Sequence, residues 1–166
     1  YLEARRFAEA EQALRTILQF DSNCWKALSD LAALYHAMGD AEAEVQTLAQ
    51  LMDLHQNLGQ IDQAVEACRT LMQRMPDDRA LLCRYIELCA QIGPELDLVD
   101  DHLKLARLHT EAGDFTQAEL AYERVLQLAP NRDDVRQAFI QFLFDRGQAD
   151  RAHAEIQAIV EALETC

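Results

Sequence analysis

Shifted by 54 residues, the sequence falls on itself. Residues 25–76 align with 79–130 without a gap, and 13 of the 52 pairs are identical. The shared residues are Leu28, Leu34, Gly39, Val45, Leu51, Leu54, His55, Gly59, Gln63, Ala64, Ala67, Gln73 and Pro76. Most are apolar or turn-forming, so the thing repeated is a packing unit. Each such unit is too small to bury its apolar face alone and must stack on its neighbours.

The glycines punctuate these units. Gly39, Gly59, Gly93, Gly113 and Gly147 are separated by 20, 34, 20 and 34 residues. Each follows a stretch of helical apolar periodicity, such as Leu28, Leu31, Ala32 and Tyr35 before Gly39. A helix commonly ends on a residue of positive φ, which glycine reaches without a Cβ clash. Asp40 and Asp114 follow two of them, and Gln117 stands where it completes a capping box with Asp114. Pro76, Pro94, Pro130 and the Asp21-Ser22-Asn23 stretch mark the remaining turns. Helices are predicted at 5–20, 24–38, 41–58, 61–75, 79–92, 95–112, 115–129, 133–146 and 149–164. No segment alternates with period two over a strand's length. Joins this short make consecutive helices antiparallel neighbours.

A shorter pattern lies inside the long one. Gly59, Ile61, Ala64, Cys68, Leu71 and Pro76 share their spacing with Gly113, Phe115, Ala118, Tyr122, Val125 and Pro130. Gly147, Ala149, Ala152, Ile156 and Ile159 repeat it, as do Arg5, Phe7, Ala10, Leu14 and Ile17. Alanine at its position lets two helices approach closely, and proline stops the second helix. These units resemble tetratricopeptide repeats, whose 34-residue helix–turn–helix carries this spacing. The best matches are 45–78, 99–132 and 133–166, with 1–22 as the tail of a further unit and Tyr1 at a family tyrosine position.

The resemblance implies an all-α, right-handed α-solenoid of antiparallel helix pairs, with about nine helices in one array over 1–166. That array consists of a partial repeat at 1–22, 54-residue super-units at 25–78 and 79–132, and a final repeat at 133–166. It is expected to be a fragment of a longer protein. Two positions depart from the pattern: Glu44 and Leu98 stand where the family has alanine. The helices at 41–58 and 95–112 are therefore expected to serve as second helix of one unit and first of the next.

Composition excludes several functions. Twenty-nine acidic residues against fifteen basic ones give a net charge of −14, the wrong sign for a phosphate backbone or an anionic membrane surface. No apolar run approaches the roughly 18 residues of a membrane span. The five cysteines, Cys24, Cys68, Cys83, Cys89 and Cys166, share no metal spacing and read as reduced, mostly buried thiols of a cytoplasmic protein. His102 and His109 share a helix face, but His55 and His109 are equivalent in the repeat and read as packing residues; His36 and His153 read as isolated surface. No glycine cluster can cradle a phosphate, and neither Ser22 nor Ser29 sits in a nucleophile elbow. No catalysis and no cofactor are expected.

Charge patterning points to a partner. Between Ala27 and Cys68 there is no Lys or Arg, while Asp30, Asp40, Glu42, Glu44, Asp53, Asp62 and Glu66 are acidic. This run reads as an acidic stripe for a basic peptide or partner helix. The resemblance implies that first helices line a concave binding face, with Lys26, Asp30, Ala33, Arg84, Glu87, Lys104, Arg107, Gln137 and Gln141 as candidates, and Asp53 beside them. The places of the family's asparagine clamp for a terminal carboxylate hold Ser29, Ala33 and Gln50 instead. The expected function is a non-enzymatic interaction scaffold for a protein or peptide, able to self-associate through its N-terminal end. The alternatives are a sensor module of a larger signalling protein or enzyme, or an assembly subunit of a bacterial surface or motility machine.

Overall fold

The computed structural model describes residues 2–93 and 98–164. Among them are nine helices and no strand: α1 Leu2–Phe20, α2 Trp25–Met38, α3 Ala41–Asn57, α4 Ile61–Arg74, α5 Arg79–Ile92, α6 Val99–Glu111, α7 Phe115–Leu128, α8 Asp133–Asp145 and α9 Ala149–Glu164. The largest differences from the sequence reading are at two starts. Helix α1 begins at Leu2, three residues early, and α6 begins at Val99 instead of 95. Leu98 is the residue before α6, and Asp100 and Asp101 place negative charge in its first turn, where the helix dipole favours it. Tyr1, Pro94, the residues 95–97 and Cys166, on which other expectations rest, lie outside the described residues.

Helix ends follow the glycine spacing through one motif. At Gly113 (φ +77°) the glycine N–H donates to the Thr110 carbonyl and the next N–H, of Asp114, donates to the His109 carbonyl. Gly39, Gly59 and Gly147 repeat this pair of bonds. It closes orphan carbonyls of the ending helix and reverses the chain in two or three residues. The capping box forms only in part. The Asp114 carboxylate accepts from the Gln117 N–H, but the Asp114 N–H is already committed to His109, so the return bond has no donor. Before Pro76 and Pro130, Met75 and Ala129 adopt nearly the same non-helical conformation (φ −130°, ψ 67° and φ −139°, ψ 73°). A proline disfavours the helical conformation in the residue before it.

The chain divides into two compact units, 1–96 and 97–166, and the boundary falls inside the second 54-residue span. In the first unit, helices adjacent in sequence pack on one another. Arg74 of α4 reaches His36 of α2, and Arg84 of α5 reaches Gln56 of α3. The even helices α2 and α4 therefore lie side by side in one layer and the odd helices in the other. In the second unit Arg151 of α9 pairs with Glu119 and Glu123 of α7, while Arg132 before α8 pairs with Asp100 of α6.

Buried alanines hold the layers close. Ala64, Ala106, Ala118 and Ala152 are fully buried. The second unit's core gathers Val99, Leu103, Tyr122, Val125, Val135, Phe139, Phe142 and Leu143 around Ala106, Ala118 and Ala152, with Tyr122 against both Phe139 and Phe142. Among the described residues, no helix is long and apolar enough to cross a membrane.

Candidate functional site

In the first unit, stacking in two layers leaves clefts between α1 and α3 and between α2 and α4. One cleft of ≈ 500 Å³ lies between α2 and α4, over α3. Its floor is Leu48, Leu51 and His55, spaced so that they share one face of α3 and each no more than 8% exposed. Ser29 lines it from α2, and Asp62, Gln63, Glu66 and Thr70 line it from α4. Asp62, Glu66 and Thr70 recur every four residues and so stand on one edge. No lysine or arginine lines this cleft. At one end His55 shares a 2.7 Å hydrogen bond between Nδ1 and Gln60 Oε1, and the Trp25 ring stands 5.8 Å from the imidazole.

The acidic run does not stay uncompensated. Glu44 is buried and accepts two hydrogen bonds from Arg74, Asp53 pairs with Arg84, and Glu66 pairs with Arg69 at 3.0 Å. Asp40 is spent on a helix cap, accepting from the Ala43 N–H. All three arginines lie beyond the run in sequence, and the fold carries them back to it. Asp30 and Asp62 keep exposed carboxylates that pair with no described cation.

The residues singled out by the repeat resemblance separate into groups. Lys26, Asp30 and Ala33 are exposed on α2, with Lys26 Nζ 5.6 Å above the Trp25 ring. Arg84 and Glu87 lie on α5, and Arg84 is engaged with Asp53 and Gln56 of α3. Helices α2 and α5 are equivalent in sequence but occupy opposite layers of the first unit, because they stand three antiparallel helices apart in the chain. Asp53 and Arg84 are brought together; Asp30 and Arg84 are not. In the second unit, Lys104 and Arg107 on α6 share a layer with Gln137 and Gln141 on α8, and Gln141 donates to Asp145 at 2.7 Å. Asp62 and Glu66 were read as part of the acidic stripe, but their grouping with Thr70 into one α4 edge was missed. Its four-residue spacing was visible, but it lies on a second helix.

Histidines and cysteines settle into the fold. His55 and His109 are equivalent, and each reaches toward the residue after its turn glycine. His109 Nδ1 lies 3.6 Å from Asp114 Oδ2 and, although buried, makes no hydrogen bond. Burial lowers the pKa of His102, with Arg124 adding to the effect. His36 is not isolated: its Nδ1 lies 2.6 Å from Arg74 Nη2. His153 meets Phe144 edge-on. Cys68 and Cys89 are buried, Cys24 and Cys83 half-buried, and all four are free thiols. Among the described residues, no three His, Cys, Asp or Glu side chains are grouped to hold a metal ion. Ile17 and Phe20, in the last turns of α1, are 45% and 88% exposed.

Comparison with known proteins adds a family. Residues 103–165 match the tetratricopeptide repeat family model. No curated protein matches the chain. Among solved structures the chain is similar to a crystal structure of MamA, 17% identical over 96% of this chain and 90% of that one, with a TM-score of 0.37. It is also similar to a tetratricopeptide repeat protein from Parabacteroides merdae, 15% identical over 97% and 75%, TM-score 0.36. A third likeness is to MamA from Desulfovibrio magneticus, 12% identical over 99% and 89%, TM-score 0.37. The family match covers α6 to α9, where glycine turns and close alanine contacts at Ala118 and Ala152 were already seen, and residues 103–165 are a tetratricopeptide-repeat segment.

Proposed function

We propose that this chain is a non-catalytic protein-interaction module, and that the α2/α4 groove of its first unit takes an extended, cationic segment of a partner protein. The supporting observation is the groove's lining, which carries Asp62, paired with no described cation, and Glu66, shared with Arg69 outside the groove, on one edge and no basic residue of its own. Ser29, Gln63 and Thr70 add uncharged donors and acceptors beside them. An extended segment fits better than a helix. The floor leucines are already at least nine-tenths buried, so a partner helix finds little apolar surface to cover. Recognition then rests on charge and hydrogen bonding, which weakens as salt screens the exposed carboxylates over about 8 Å.

Titration of the full chain with a fluorescent peptide of alternating arginine and serine tests this reading. Binding is expected at low salt, to be lost when Asp62 and Glu66 are both changed to Lys, and to survive Asp133→Lys in the second unit. Equal binding by the Asp62→Lys, Glu66→Lys variant overturns the assignment of this groove.

A further inference from the structure

We propose that the second unit carries a small-molecule site in the cleft between α7 and the turn joining α8 to α9, and that its ligand is a free α-amino acid with an aliphatic side chain. The cleft has a volume of ≈ 240 Å³, and the charged side chains that line it are Arg146, Glu119 and Glu123.

Arg146 has no carboxylate partner among the described residues. Its guanidinium lies 3.7 Å above the centroid of the Phe115 ring, and Phe115 is itself held against Phe142 of the core. Stacking fixes the plane of the guanidinium and leaves the N–H groups along its edge unoccupied. The helix turn does not require this charge. The residues before the turn glycines are Met38, Leu58, Ile92, Ala112 and Arg146, so the other turns form with an apolar residue at this place. One super-unit earlier, Phe115, Glu119 and Glu123 have Ile61, Val65 and Arg69 as equivalents. Repeat packing therefore does not impose this group of side chains.

The opposite charge collects further along α7. Glu119 and Glu123 follow Phe115 by one and two helical turns, about 6 and 12 Å along the axis. Both pair with the same residue, Arg151 of α9, which also donates to Gln148 Oε1 at 2.8 Å. Two carboxylates thus share one guanidinium, and one negative charge is left over. The cleft is neutral in sum but polarised, with an open cation beside Phe115 and a surplus anion one to two turns away.

That arrangement complements a zwitterion. The ligand's carboxylate accepts from the edge of Arg146. The Thr116 hydroxyl and the Gln148 amide nitrogen line the same cleft and donate to no described residue, so both add donors there. The ligand's ammonium donates to Glu119 and Glu123. An ammonium and a carboxylate one carbon apart, with a hydrogen bond of about 2.8 Å on each side, bridge roughly 8 Å, which lies between the two helical distances. Leu120 also lines the cleft and is 54% exposed, so an aliphatic side chain finds apolar area to cover. A simple anion enters against the field of a chain of net charge −14, whereas a zwitterion has no net charge to be repelled.

The test is isothermal titration calorimetry of the full chain with L-leucine, N-acetyl-L-leucine and L-leucinamide. Leucine keeps both charges, and each blocked form keeps one. Leucine is expected to bind with a Kd of about 1 mM or below, and both blocked forms at least about tenfold more weakly. Arg146→Gln and Glu123→Gln are each expected to weaken leucine binding about tenfold while the helical circular dichroism stays unchanged. Asp62→Lys with Glu66→Lys is expected to change nothing here, which separates this site from the acidic groove of the first unit. Absence of leucine binding, equal affinity for either blocked form, or unchanged affinity in Arg146→Gln each overturn the proposal. The blocked ligands decide it on the native chain even where a variant folds poorly.

Discussion

Arg74 closes on Glu44 with two nitrogens, Nε at 3.0 Å and Nη2 at 2.9 Å from the same carboxylate oxygen. Glu44 stands where the repeat pattern has a close-packing alanine, and its side chain is only 8% exposed. The arginine thus turns a misplaced charge into a tie between α3 and α4, and its second contact, to His36, extends the tie to α2. Removing one partner strands a buried charge, which costs more than the pair contributes. Arg74→Ala is expected to destabilise the first unit by roughly 1–3 kcal/mol, given that Arg74 is itself partly exposed. Glu44→Ala in the same chain is expected to restore much of that loss, since alanine is the pattern residue. Urea unfolding of the single and double variants measures both, and an additive double variant contradicts the coupling.

Overpacking tests the register of the alanines. Ala64 and Ala118 are fully buried and equivalent in the repeat. Replacing either by leucine forces extra carbon atoms into a close helix contact, at about 1–3 kcal/mol. A thermal melt followed by circular dichroism is expected to show a lower midpoint for both variants. Ala33→Leu, at an exposed position of α2, serves as the control and is expected to leave it unchanged.

Gly113 separates backbone strain from crowding. Its φ is +77°, and nothing lies within 4 Å of where a Cβ would stand. Gly113→Val is therefore expected to cost about 1–2 kcal/mol through conformation alone. Gly113→Asn is expected to cost less, because asparagine tolerates the left-handed region. Equal losses for the two variants, measured by denaturant unfolding, contradict this account.

Burial pushes the Cys68 thiol up to about 11, with the Arg84 charge opposing and Cys89 adding to the rise. A group whose pKa is raised by folding contributes stability that is complete below its unfolded value. That contribution is lost as pH climbs through the folded one. The fold is therefore expected to weaken from about pH 9 upward through pH 11, and Cys68→Ala is expected to flatten that part of the profile. At neutral pH, mass spectrometry after brief alkylation is expected to find Cys24 modified before Cys68.

The helix plan was legible because its signals are local. Gly39, Gly59, Gly113 and Gly147 end helices through bonds to carbonyls three and five residues back, and proline fixes the conformation of the residue before it. The late start of α6 shows the limit. The sequence continued a helix pattern back to 95, while the acidic first turn favours a start at Val99. The capping box at Asp114 shows another, for the N–H it needed was already used by the glycine turn.

The candidate site was less legible. Reading Ala27 to Cys68 alone gave an acidic stripe with nothing to neutralise it, because the compensating Arg69, Arg74 and Arg84 lie beyond it in sequence. Residue spacing likewise placed α2 and α5 in the same role, and they are indeed equivalent by sequence.

By itself, then, the sequence determined where each helix stops and which alanines allow close contact, since backbone conformation and side-chain size act within a few residues. Tertiary structure alone decided which helices share a layer, which acids keep a free charge and which side chains face one groove. Three antiparallel helices separate α2 from α5 and so place them in opposite layers, and the arginine contacts that join α2 to α4 and α3 to α5 form only once those layers are stacked.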